Sequence, residues 1–253
     1  VIITHGHADH DGAAAQLVEE AGAELWAHDI YAKLIGHGPR DGPQTSDGFF
    51  QQEIATVLKA DRESRGSADG RSRRTGYQGS GEDIQVSRRI KDGDVGGDLR
   101  FLHTPGHSPD EICATLDGVV FTGDHVLPEI TPHPTVKLRL DPDVKRGLGD
   151  EYGDEDAYYG LETYLRSLQR VADLDADTTV LPAHRLFNGG RMNLGGVDRA
   201  GEIIEHHVDR LGRILHRLRS GETDLETVTR GIFDRRKLVG GNLYMALLEV
   251  VAH

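Results

Sequence analysis

Four side chains able to hold a metal ion fall within six residues near the start of the chain, in His5-Gly6-His7-Ala8-Asp9-His10. In an extended segment His5 and His7 project to the same side and can converge on one ion, whereas Asp9 and His10 belong to the turn entering the next helix and face a different point. That spacing predicts two adjacent metal positions. Three later segments offer further ligands: His107 in Thr104-Pro105-Gly106-His107, Asp124 in Phe121-Thr122-Gly123-Asp124, and His184 in Leu181-Pro182-Ala183-His184. Imidazole and carboxylate without thiolate suit Zn2+, and also Fe2+ or Mn2+. Two such cations about 3.5 to 4 Å apart lower the pKa of a shared water toward 7, giving a bridging hydroxide, and polarise the scissile oxygen. Hydrolysis is the chemistry this predicts.

The elements that must position these residues are short. Val1 to Thr4 reads as a buried strand directly before the first motif. Asp11 to Ala21 reads as a helix with Gly22 beyond its end, Glu24 to His28 as a strand, and Asp29 as the N-cap of a helix through Leu34. A β, α, β, α order implies parallel pairing. Phe49 to Leu58 carries a weak helical stripe, and Asp61 to Asp83 gathers Arg62, Arg65, Arg71, Arg73 and Arg74 among Gly, Ser and Asp, a solvated loop or a flap for an anionic substrate. Short strands are expected at Ile84 to Ile90, Leu99 to His103, Ile112 to Leu116 and Val119 to Thr122. Then come a helix over Tyr158 to Leu174, a strand over Thr178 to Leu181, and an amphipathic helix over Val197 to Arg219 with His206 and His207 on its polar side. Thr223-Asp224-Leu225-Glu226 has the form of a capping box opening a helix through Ile232. Each metal-type residue therefore ends a strand at a turn, where ligand sites in αβ sheets form.

Composition narrows the setting. A formal net charge of −13 disfavours nonspecific binding to nucleic acid. The single cysteine, Cys113, stands outside every motif and reads as a small buried hydrophobe, which excludes a disulfide scaffold. The longest apolar runs fall far below the roughly 20 residues that span a bilayer, so no membrane helix is expected and a cytoplasmic location is the default. With 23 Arg against 6 Lys and an acidic excess, the composition fits either a salt-loving source or a GC-rich genome. The chain starts on an apolar segment without Met and stops inside a helical pattern at Leu247 to His253, which predicts a fragment of something longer.

The ordered set H-x-H-x-D-H, T-P-G-H, G-D and P-x-H resembles the metal-ligand motifs of the metallo-β-lactamase superfamily. The resemblance implies an α+β fold, the αββα sandwich with its site at one edge between two sheets, over residues 1–200. Transferred residue by residue, it implies that His5, His7 and His107 hold a first metal, that Asp9, His10 and His184 hold a second, and that Asp124 bridges the pair. Two Zn2+ are the expected cofactors, with Asp9 and Asp124 as the catalytic carboxylates. Members usually carry a strand-rich segment ahead of the first motif, which this sequence lacks. Gly6 and Ala183 stand where Thr or Ser and Gly are commoner, and neither change removes a ligand. Residues 201–253, with Glu205-His206-His207, Arg210-Leu211, Ile214-Leu215 and Gly221-Glu222-Thr223, resemble the small helical, winged-helix-like appendage of some members.

The expected activity is hydrolysis of a small-molecule ester or thioester, resembling the glyoxalase II side of the superfamily. Alternatives are a phosphodiesterase or ribonuclease of the same fold and a mono-iron persulfide dioxygenase that keeps the same histidines. His103, His125 and His133 are candidate substrate or outer contacts. Substrate recognition is expected in loops 36–83 and 126–154, whose composition does not name a substrate, and oligomeric state is left open by the sequence.

Overall fold

A run of alternating residues becomes a strand only where a neighbour takes its backbone hydrogen bonds. In the computed structural model, which describes residues 1–35, 48–64, 85–136, 142–234, 236–239 and 241–253, the segment 1–4 is extended but pairs through one parallel bridge, Ile2 to Trp26. Ile3 N–H donates to the Trp26 carbonyl (2.9 Å) and Trp26 N–H to that of Val1 (2.8 Å). The strand expected there is thus reduced to a single rung. Ala8–Asp11 (α1) and Ala14–Ala21 (α2) follow, and Gly22 closes α2 at φ 57°, a left-handed cap that glycine adopts without strain. The one helix expected from Asp11 is split because Asp11 turns inward, buried, and accepts a hydrogen bond from Tyr31 Oη (3.1 Å).

Trp26–His28 (β1) pairs in parallel with a later strand, and Asp29–Leu34 (α3) and Gly48–Ser64 (α4) intervene. His28, not Asp29, caps α3: its Nδ1 accepts from Ile30 N–H at 3.2 Å. Asp29 is instead buried, with Lys33 Nζ at 3.3 Å and Tyr152 Oη donating at 3.0 Å. Within the Arg-rich stretch, residues 61–64 complete α4 and 65–83 lie outside the described residues. Arg88–Ile90 (β2) is the partner of β1.

The larger sheet starts with Val95–Gly96 (β3), Leu99–His103 (β4), Ile112–Leu116 (β5) and Val119–Gly123 (β6). Asp117-Gly118 joins β5 to β6 with φ of 45° and 76°, the doubly left-handed two-residue turn that matches the twist of a hairpin. Pro142–Leu148 (α5) and Leu161–Ala172 (α6) lead to Thr179–Pro182 (β7). Short strands Phe187–Asn188 (β8), Arg191–Met192 (β9) and Gly195–Gly196 (β10) precede Asp198–Arg219 (α7), Leu225–Ile232 (α8) and Gly241–Ala252 (α9). The six strands lie in the order β10-β7-β6-β5-β4-β3. All neighbours are antiparallel except β6 and β7, which α6 connects as a parallel pair.

One face of this sheet is buried under helices. Tyr164, Leu168 and Val171 of α6 and Ala200 and Ile203 of α7 pack on Cys113, Val120 and Val180. The far half of α7 enters a second core, where Ile214 meets Val228 and Ile232 of α8, Leu243 and Leu247 of α9, and Ile54 and Val57 of α4. Among the described residues of 201–253 the chain is helical with no strand. Asp224 rather than Thr223 caps α8, accepting from Thr227 N–H at 2.8 Å. His206 lies on the exposed side of α7 as expected, but His207 is buried because α9 packs over it. No helix among the described residues is long and apolar enough to cross a membrane.

The Thr104-Pro105-Gly106-His107 turn rests directly on α6. A Cβ built on Gly106 would lie 2.4 Å from Tyr164 Cα, and its φ is 135°. Gly106→Ala is therefore expected to cost more than about 2 kcal/mol of stability. An unchanged urea midpoint would contradict the close approach.

Candidate metal centre

Strands β4, β6 and β7 all run the same way, because β5 reverses the chain between β4 and β6 while β6 and β7 are parallel. Their carboxyl ends meet at one edge. His107 leaves β4, Asp124 leaves β6 and His184 leaves β7 at that edge. The extended N-terminal segment is tied there as well, since Ile112 N–H at the start of β5 donates to the Thr4 carbonyl (2.9 Å). That bond delivers His5 and His7, and α1 then delivers Asp9 and His10. All seven metal-type residues are brought together, in two groups: His5, His7, His107 and Asp124, then Asp9, His10 and His184, each with donor atoms within 4.8 Å of one another.

Within the first group His5 Nε2 lies 2.9 Å and His107 Nε2 3.2 Å from His7 Nδ1. Asp124 reaches both groups. Its Oδ2 is 3.7 Å from His107 Nε2 and 3.4 Å from His10 Nε2, and its Oδ1 is 3.5 Å from His184 Nε2. Asp9 Oδ2 closes the second group at 3.2 Å from His184 and 3.8 Å from His10. Ligands at tetrahedral angles on an ion with bonds of about 2.0 to 2.1 Å stand roughly 3.3 Å apart. The donor spacings match that figure. Moreover, His10 Nε2 and Asp124 Oδ1 are buried and close no hydrogen bond among the described residues, the condition of atoms arranged for a cation rather than for each other. The donor set fits a pair of metal ions.

Electrostatics agree. Burial holds the His5, His7 and His107 rings below the usual imidazole range, His107 at about 4, with neighbouring rings adding to the effect on His5 and His107. These rings are neutral at pH 7 and offer lone pairs. Burial pushes Asp124 up, but the His10 and His107 rings outweigh it and keep the carboxylate ionised. Burial likewise lowers His10, and the Asp124 charge reverses the sign and raises it.

An outer ring of groups fixes the orientation. His107 Nδ1–H donates to the His133 carbonyl at 2.9 Å, which leaves Nε2 bare toward the centre. His5 Nδ1 stands 3.2 Å from Thr4 Oγ1 and 3.4 Å from Glu111 Oε2, and Glu111 Oε1 accepts from Asp124 N–H at 3.1 Å. Asp110 Oδ2 takes the Gly6 N–H at 2.9 Å. Gly123, at φ 54°, leaves the room this needs, since a Cβ there would meet Glu111 Oε1 at 2.5 Å and Thr4 Oγ1 at 2.8 Å. Glu111 and Asp110 carry no motif signal, and only their burial between ligand-bearing segments reveals them. Of the three histidines expected as contacts, His133 touches the centre through its carbonyl. His103 instead stacks on His28 at 3.8 Å, and His125 is buried against Tyr164.

Burial also places His28 at about 2, His103 at about 4, and His125 and His133 at about 3. The unfolded chain then binds more protons than the folded one once pH falls below the ordinary imidazole value of about 6.5. The metal-free protein should lose stability progressively from about pH 6.5 to pH 4. A flat urea midpoint across that window would show these rings to be exposed. Glu111→Gln should weaken metal binding about 10- to 100-fold while leaving the fold intact, measured by chelator competition beside circular dichroism.

The metallo-beta-lactamase superfamily profile matches residues 1–184. Among curated proteins, the chain is similar to the thioesterase pkgB of Emericella nidulans, 28% identical over 220 residues, covering 81% of this chain and 50% of the relative. It is also similar to hydroxyacylglutathione hydrolase GloC of Haemophilus influenzae, 28% identical over 136 residues, covering 49% and 48%. The chain thus spans about half the length of these two relatives. A beta-lactamase domain protein from Burkholderia ambifaria shares the fold, with a TM-score of 0.64 at 24% identity over 100% of this chain and 67% of that one. With the match covering most of its length and the motif residues gathered at one sheet edge, the chain belongs to the metallo-β-lactamase superfamily.

Proposed function

We propose that the chain hydrolyses a small-molecule ester or thioester with two bound Zn2+ ions, Fe2+ or Mn2+ being the alternative metals. His5, His7 and His107 hold the first ion, Asp9, His10 and His184 the second, and Asp124 is shared. The observation that carries this reading is the position of Asp124, which reaches His107 of the first group at 3.7 Å through Oδ2 and both His10 (3.4 Å, Oδ2) and His184 (3.5 Å, Oδ1) of the second. A pair of bound ions lowers the pKa of water toward 7 and polarises a carbonyl oxygen.

The chain's own residues do the rest. The His5 side chain is fully buried, whereas those of Asp9 and His184 are 62% and 42% exposed. Substrate therefore meets the centre from the Asp9 and His184 side. There the Asp9 carboxylate accepts a hydrogen bond from the attacking water and orients it, and Asp124 stays anionic beneath it. The names of the two relatives, a thioesterase and a hydroxyacylglutathione hydrolase, support a thioester as the substrate class, and the net charge of −13 speaks against an RNA strand. A cytoplasmic location belongs to the same proposal.

A panel of acyl thioesters and single-stranded RNA, each with and without chelator, tests this. Thioester cleavage lost to chelator, with about two Zn per chain, is the expected result. Preferential cleavage of RNA, or one Fe per chain with no hydrolysis, would overturn it. Asp124→Ala should lower the rate more than about 100-fold and empty one or both positions. Unchanged metal content and rate would remove the shared role of Asp124.

A further inference from the structure

One further group of ligand-type side chains is present among the described residues: His207 of α7, Glu249 of α9, and His253 immediately after α9. We propose that these three residues form another metal site, for a zinc-class divalent cation, that fastens α7 to α9. His207 Nδ1 lies 3.0 Å from His253 Nε2 and 3.8 Å from Glu249 Oε1, spacings on either side of the roughly 3.3 Å expected between ligands of a tetrahedral ion. His253 repeats the arrangement of His107. Its Nδ1–H donates to a backbone carbonyl, that of Glu249 at 2.7 Å, so Nε2 presents a lone pair to His207.

The proton inventory of His207 points the same way. If Nδ1 carried the proton and donated it to His253, the buried Nε2 would be a bare acceptor, and among the described residues it closes no hydrogen bond. With the proton on Nε2, two lone pairs confront each other at 3.0 Å, and a cation between them turns that repulsion into two bonds. The His133 ring, within electrostatic reach of His253 and Arg210, adds a second buried nitrogen, Nε2, without a hydrogen bond.

Arg210 shares the pocket. Its Nη1 bonds Glu249 Oε1, and its guanidinium lies over the Phe233 ring at 5.1 Å. A carboxylate accepts at about four positions, so Glu249 serves guanidinium and ion together. The extra positive charge weakens this site relative to the two at the sheet edge, so it fills last and empties first. An ion here therefore holds α7 and α9 together where they cover His207.

The test is zinc content of the full chain after loading with excess Zn2+ and desalting, for wild type, His253→Gln and His207→Asn, with circular dichroism verifying the fold. Each variant should hold one zinc fewer than wild type, and its melting temperature should fall below wild type in zinc but not in chelator. His253→Gln, at a partly exposed position, carries the test if His207→Asn does not fold. Equal zinc content in wild type and His253→Gln would overturn the site and leave a proton shared between two rings. Because the readout is a difference, it stands whatever number of ions the sheet-edge residues hold.

Discussion

The structure is organised around a set of buried ring nitrogens and a carboxylate that converge on one another with too few protons to satisfy them all. In a buried pocket His5 Nε2 and His107 Nε2 lie 2.9 and 3.2 Å from His7 Nδ1, and Asp124 adds a carboxylate 3.7 Å from His107. Left alone such an arrangement is unfavourable, since buried acceptors need donors and burial resists protonating the rings to supply them. A multivalent cation satisfies all of them at once. The fold therefore spends rigidity on keeping the donors converged, and its other features follow from that need.

The rigidity comes from backbone more than from side chains. Three strands running in one direction place their ends together, the Thr4 carbonyl is bonded to Ile112 N–H, and Gly6 N–H is held by Asp110, so the N-terminal segment cannot drift from the sheet. Gly106 and Gly123 let the chain approach α6 and Glu111 more closely than any side chain would permit. Arg185, directly after His184, sits at φ 64°, a left-handed turn that a residue with a side chain adopts at some cost. Small residues and a strained one thus stand beside the ligand-type residues for steric reasons.

How much of this the sequence discloses depends on whether residue type or residue surroundings carries the information. The seven metal-type residues are legible because imidazole and carboxylate at strand ends are a narrow requirement, and the strands themselves show as short β-branched runs closed by Gly and Asp. Glu111 is not legible. A Glu just ahead of a strand looks like any solvated Glu, and its role arises from complete burial beside His5. His207 misleads for a related reason: its neighbours on α7 are polar, yet α9 covers it, and a helical wheel does not show what packs against a face. The caps of α3 and α8 shift by one residue because several adjacent side chains could cap, and tertiary partners such as Tyr152 and Lys33 for Asp29 decide which does.

The two groups at the sheet edge are chemically unequal, and the inequality sets the direction of the chemistry. The first is walled by β-strand backbone and backed by Glu111, Thr4 and the His133 carbonyl, while the second presents Asp9 and His184 to solvent. In the proposed two-ion centre, an ion in the first position would lie in the more buried, low-dielectric surroundings. An ion in the second position would be open to water on the side where Asp9 and His184 are exposed. Asp124 couples the two, since charge drawn from it on the buried side alters what it offers His10 and His184 on the open side. Under the proposed reading one position would hold the geometry and the other would meet the substrate, and the difference in burial between His5 and Asp9 is the physical source of that division.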